Sequence, residues 1–135
     1  ELSDQDFEAF ERLLGDIQTA YSKRDIATIE RSTTPEMQSY FTRDLADDDA
    51  AGVRNEISDV KLLQGDLSEA WREAGGEYAT VAMRYSLRDV TVETATGRIV
   101  SGSRDHDEEV VELWTFRRPV GGNTAQWELS AIQSA

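Results

Sequence analysis

Glu77-Tyr78-Ala79-Thr80-Val81-Ala82-Met83-Arg84-Tyr85-Ser86-Leu87-Arg88-Asp89 and, beyond a turn, Glu109-Val110-Val111-Glu112-Leu113-Trp114-Thr115-Phe116-Arg117-Arg118 decide the fold. In the first run Ala79, Val81, Met83, Tyr85 and Leu87 take every second position. Side chains alternate across a strand, so these five share one face, while Thr80, Arg84, Ser86 and Arg88 share the other. The second run is apolar on both parities, with Val111 and Leu113 on one and Val110, Trp114 and Phe116 on the other. A strand apolar on both faces is covered on both, by its own chain or by a partner. Association through the sheet, as a homodimer or with another protein, is therefore expected. Trp71 and Trp114 are expected to be structural.

Working towards the N-terminus, the chain reads as helices. Ser3 can cap a helix, with Asp4, Asp6 and Glu8 placed near its positive end. Phe7, Phe10, Leu14, Ile17 and Tyr21 follow at spacings of three and four, an amphipathic stripe that Lys23 and Arg24 close. Asp25 suits the cap of a short second helix with Ile26 and Ile29 facing inward. Thr34-Pro35 reads as a cap followed by proline at the first helical position. Met37, Tyr40, Phe41 and Leu45 make the inner face of that third helix. It is expected to fade in Asp47-Asp48-Asp49 and end by Gly52, because acidic residues oppose the dipole at a helix C-terminus. Residues 53–58 fit either a helical turn or the approach to a strand.

Asp59 to Glu73 is strand-like but changes parity, from Val60 and Leu62 to Leu63, Leu67 and Trp71. A β-bulge near Gly65 reconciles the two runs. Gly75-Gly76 reads as a hairpin turn, and Thr94-Ala95-Thr96-Gly97 as a second, followed by a short Arg98-Ile99-Val100. Ser103 to Glu108 is an acidic loop. Pro119 and Gly121-Gly122-Asn123 mark a last turn before the strand Trp127 to Gln133. Helices followed by four main antiparallel strands define an α+β class, with the N-terminal helices packed in a curved four-stranded sheet. A chain of 135 residues without repeat or linker reads as one domain, 1–135.

Composition narrows the function. The net charge is −13 and the pI about 4.4, which argues against a nucleic-acid partner and against electrostatic attachment to anionic lipid. Without cysteine there are no disulfides or thiolate metal sites. His106, set in Asp105-His106-Asp107-Glu108-Glu109, is the only histidine, and adjacent loop residues cannot all face one ion, so no metal is expected. No serine sits in a Gly-x-Ser-x-Gly elbow, and neither glycine pair has the spacing of a nucleotide loop. Glu69 and Glu112, both on strands, are the carboxylates placed for acid–base work. Each is expected instead to pair with Arg84 or Arg88 across the sheet. No catalytic residue and no cofactor are expected.

Leu63-Gln64-Gly65-Asp66-Leu67-Ser68-Glu69-Ala70-Trp71, Tyr78-Ala79-Thr80-Val81, the Arg88-Asp89 and Thr96-Gly97 turn region, Glu112-Leu113-Trp114-Thr115-Phe116 and Trp127-Glu128-Leu129-Ser130-Ala131-Ile132-Gln133 together resemble the Tim-forty-four-like domain. This is the C-terminal domain of the subunit that tethers the protein-import motor to the mitochondrial inner membrane; bacterial relatives carry it behind a membrane-associated or Gly-rich segment. The resemblance spans essentially the whole chain. It implies a cystatin-like, nuclear-transport-factor-two-like cone, a large apolar pocket and peripheral inner-membrane association. It also implies contact with lipid (cardiolipin for the mitochondrial members) or a protein partner, a non-enzymatic adaptor role, and a membrane-associated segment upstream of Glu1.

The residues themselves suggest an apolar ligand-binding pocket between helix 1 and the inner sheet face. Its walls would be Phe10, Leu14, Phe41, Met83, Tyr85 and one of Trp114 or Phe116, with room for a membrane lipid or acyl chain. The competing reading is a small-molecule isomerase or cyclase of the same cone fold. Glu69 or Glu112 buried in the cavity without a basic partner would reverse the preference in favour of that enzyme.

Overall fold

Ser3 and Asp6 start the first helix with a capping box. The Ser3 hydroxyl accepts from the Asp6 amide at 3.2 Å, and the Asp6 carboxylate accepts from the Ser3 amide at 2.9 Å. The computed structural model describes residues 2–135. These form α1 (Asp4–Lys23), α2 (Ile26–Ser32), α3 (Pro35–Ala51), β1 (Val53–Glu73), β2 (Gly76–Glu93), β3 (Ile99–Gly102), β4 (Glu108–Pro119), a 3-10 turn at Thr124–Gln126 and β5 (Glu128–Ser134). The class is α+β, with three helices packed on one antiparallel sheet.

The strand order is β1-β2-β4-β5, and β3 pairs with the far end of β2 beyond β4. The β1–β2 hairpin is the long element. Ala74 (φ 48°) and Gly75 (φ 80°) are its two-residue loop, and Gly76 already pairs with Glu73. Two positive φ values in a two-residue loop match the right-handed strand twist. β1 carries three register shifts, at Ser58/Lys61, Leu62/Gln64 and Leu67/Glu69. The latter two flank Gly65, so the parity change has two bulges where one was expected; each bulge bends the strand.

The inward parity of β2 is confirmed by burial: Ala79, Val81, Met83, Tyr85 and Leu87 are all buried. Against them lie Phe10, Leu14 and Ile17 of α1, with Trp114, Phe116 and Leu129 completing the core. Phe10 stacks on Phe116 at 4.4 Å and meets Trp127 edge-on at 4.9 Å. On the opposite side of the sheet Val111 is 51% exposed.

Two expectations change and one open reading is resolved. α3 does not fade in its aspartates but runs to Ala51, where Gly52 (φ 71°) terminates it and donates to the Asp48 and Asp49 carbonyls. Arg24 holds Asp49 at 3.0 Å, which offsets part of the dipole cost. Residues 53–58 belong to β1, because β2 continues to Glu93 and supplies them a partner. Trp71 is half-buried rather than core: it pairs with Tyr78, whose side chain alternates away from the buried Ala79, and the two rings stack at 5.1 Å.

Candidate functional site

The inner face of the sheet is wider than α1. Where α1 stops covering it, a cleft of about 500 Å³ opens between the helices and β5. α1 supplies Ile17, Gln18 and Tyr21; α3 supplies Met37, Tyr40, Phe41 and Asp44; β1 supplies Asn55 and Ile57. Tyr85 of β2, Glu112 and Trp114 of β4, and Ser130, Ala131, Ile132 and Ser134 of β5 complete it. Phe41 is flanked by Tyr21 at 5.7 Å and Tyr40 at 5.9 Å, both edge-on. Across from them Tyr85 and Trp114 form a second edge-on pair at 6.3 Å. The Asn55 amide is fixed by donating to Asp89 at 2.6 Å and to the Val90 carbonyl at 3.1 Å.

Of the expected pocket residues, Phe41, Tyr85 and Trp114 line this cleft together. Phe10 and Met83 instead border a separate hollow of about 370 Å³ between the first turns of α1 and the β1–β2 side of the sheet, Leu14 borders another beside β1, and Phe116 is buried in the core. The cleft is displaced from the middle of α1 towards α3 and the β5 edge. Residues not anticipated had readable signals. Asp44 lies four residues after Tyr40 and so shares its helix face. Glu112 shares the inward strand parity of Trp114 and Phe116.

Glu112 is the polar centre of the cleft. Its Oε1 accepts from the Tyr85 hydroxyl at 2.7 Å and from the Trp114 indole Nε1 at 2.9 Å. Gln18 Nε2 donates to the Tyr85 oxygen at 3.3 Å, so the hydroxyl is held from both sides. Burial, the hydrogen bond to Glu112 and the charges of Glu112 and Asp89 push the Tyr85 hydroxyl far above its usual range, and Tyr85 stays a donor. The expected cross-strand ion pair is absent at this position. Arg84 bonds Glu109 at 3.2 Å, and Arg88 reaches Asp107 at 3.1 Å and Asp59 at 3.4 Å. The reason is parity: Arg84 and Arg88 point to the opposite face from Tyr85, whereas Glu112 points inward with Trp114. Glu69 is exposed and outside the cleft. His106 is on an exposed loop, its Nδ1 3.1 Å from the Ser103 hydroxyl, and among the described residues no cluster of His, Asp or Glu has the arrangement of a metal site.

The field at the α3 wall is negative. Burial and the neighbouring Asp47 and Asp48 raise the Asp44 carboxyl above its ordinary value. Burial, Asp44 and Asp48 push the Tyr21 hydroxyl up to about 12.

A helical layer set against a bent antiparallel sheet, with part of the inner sheet face left open as a cleft, defines an α+β architecture. The chain belongs to the Tim44-like domain family, whose profile matches residues 1–134. Among solved structures it is similar to the intermembrane space region of the chloroplast protein ARC6, at 10% identity and a TM-score of 0.60 over 100% of both chains. It is also similar to a periplasmic fragment of TraM, at 12% identity and a TM-score of 0.58, again over 100% of both. At these identities the likeness is one of fold. No curated protein matches the chain by sequence.

Proposed function

We propose that this domain is a membrane-associated, non-enzymatic adaptor that holds the acyl chain of a membrane lipid in its cleft. The observation that carries the reading is the cleft itself. Its volume lies within the range of about 300–1,000 Å³ common to small-molecule sites, and ten of its sixteen lining residues are aromatic or aliphatic, with polar groups at Gln18, Asp44, Asn55, Glu112, Ser130 and Ser134. Burying roughly ten methylenes gains on the order of 8 kcal/mol before immobilisation costs. That binding needs no positive surface and so suits a chain of net charge −13. Family membership supports membrane association, and the two structural neighbours are regions of an intermembrane space and a periplasm. Among the described residues no helix is long and apolar enough to cross a membrane, so association would be peripheral or through a segment outside them. At the inner membrane, a protein partner or second copy would use the outer sheet face around Val111.

Native mass spectrometry of gently purified protein tests this, with Ser134→Trp as the variant that fills the cleft, because Ser134 lines it and pairs across the strands with the inward-facing Glu112. A lipid-sized adduct in the parent, lost in the variant, and a melting temperature raised by added lipid are expected. No adduct and an unchanged melting temperature would remove the cleft as a lipid site. Met83→Trp is unsuitable as the filling variant, because Met83 is 1% exposed and would overpack the core.

Glu112 favours a second reading, an isomerase or cyclase, since it is half-buried in the cleft with no basic partner among the described residues. The binding reading comes first because this carboxylate is already engaged structurally, satisfying the Trp114 indole and the Tyr85 hydroxyl. Deuterium exchange at the carbon next to the carbonyl of an apolar ketone separates the two. Exchange above the buffer rate that Glu112→Gln abolishes would establish the enzyme.

A further inference from the structure

Glu112 uses only one of its two oxygens. Tyr85 and Trp114 both donate to Oε1, and among the described residues Oε2 has no partner. The cleft walls hold a second carboxylate, Asp44, and no lysine or arginine. A fatty-acid carboxylate or a phosphate would therefore enter a site with two like charges and nothing to neutralise its own. A cation would find the reverse. Tyr21, Tyr40 and Phe41 stand edge-to-face along the α3 wall and line the cleft, aromatic rings of the type that attract ammonium groups.

We propose that the cleft selects a monocationic amphiphile, an ammonium group carried on an apolar chain, with Glu112 Oε2 as its charge partner and the Tyr21–Phe41–Tyr40 wall around it. The proposal rests on the reading of the cleft as an acyl-chain site and adds the chemistry of the head. Burial is the main reason the Asp44 and Tyr21 groups are raised; the lesser part, set by neighbouring carboxylates, is what a bound cation would relieve. Glu112→Gln is a clean probe. The glutamine carbonyl oxygen can keep both acceptor bonds to Tyr85 and Trp114, while a neutral amide donor replaces the charged Oε2 acceptor.

The experiment is calorimetric titration, below the micelle concentration and at physiological salt, with decyltrimethylammonium, decanol and decanoate. Decyltrimethylammonium is expected to bind about tenfold more tightly than decanol, and decanoate more weakly than either. Glu112→Gln should bring the ammonium-to-decanol ratio close to one. Asp105→Asn, the same charge change on an exposed loop outside the cleft, should leave the ratio intact. Decanoate binding as tightly as the ammonium compound would overturn the proposal. So would a ratio that survives Glu112→Gln, or one that Asp105→Asn lowers equally, since attraction would then come from the whole acidic surface. Decanol and decanoate binding with no ammonium preference would overturn this proposal alone. Binding of none of the three would overturn the acyl-chain reading and this one with it.

Discussion

Asp6→Ala will lower the stability of the domain by about 3–5 kcal/mol, the usual cost of removing one partner from a buried ion pair. Asp6 is 3% exposed. Its Oδ1 accepts from Arg118 Nη1 at 3.0 Å and from Trp127 Nε1 at 2.9 Å, and its Oδ2 accepts from the Ser3 amide at 2.9 Å. One carboxylate therefore caps α1 and ties it to β4 and to the start of β5. Arg118 in turn bonds Glu77 at 2.8 Å and lies over the Trp127 ring at 4.4 Å. Truncating Asp6 removes one of the two carboxylate partners of a largely desolvated guanidinium, together with the partners of an indole N–H and of the helix cap. A small domain has about 5–15 kcal/mol in all, so urea unfolding should show a large fall in midpoint at unchanged slope. Burial acts to raise the Asp6 carboxyl, but Trp127, Ser3 and Arg118 outweigh it and hold the group below its ordinary value. A depressed carboxylate contributes stability above its unfolded value, about 3.9, and loses it as pH falls through the lower folded value. Asp6→Asn keeps the acceptor for Trp127 and should cost less than the alanine. It should also flatten the loss of stability below about pH 4. An alanine variant within about 1 kcal/mol of the parent would show that the network is not cooperative.

The parts of the fold legible from sequence were those governed by local periodicity. β2 has one face on the core, so its alternation survives, and α1 shows its stripe and its cap. β1 was harder because its three bulges each reset the relation between position and face, which is why Trp71 read as core. The aspartate run in α3 suggested a helix end through the dipole, but Gly52 just beyond it and Arg24 across the gap decide the matter. The cleft was legible only in part. Which aromatics close the core and which line an opening depends on how far α1 covers the curved sheet. That is set by the β5 edge and by α3, not by any local pattern. Glu112 sat on the inward parity in plain view; the expectation that a strand glutamate seeks an arginine hid it, although both arginines face the other way.

Trp114→Ala is the second large effect expected, again about 3–5 kcal/mol. Trp114 is fully buried, between Phe116 at 6.2 Å and Tyr85 at 6.3 Å. Its removal leaves a cavity that β4 cannot close, because its backbone is paired on both sides, to β2 and to β5. It also strips one donor from Glu112. Trp114→Phe separates the two contributions: the ring remains, Tyr85 still donates to Glu112, and the cost should be well below that of alanine. Trp71→Ala is the internal comparison. Trp71 is half-buried and its main contact is the Tyr78 stack, so about 1 kcal/mol is expected. The two alanine variants differ by one Trp each, so a thermal melt of both against the parent reads the difference directly. Equal losses would mean that the faces of β1 and β4 are misassigned. A larger loss at Trp114, together with weaker lipid binding in Trp114→Phe, would place one residue in both the core and the cleft.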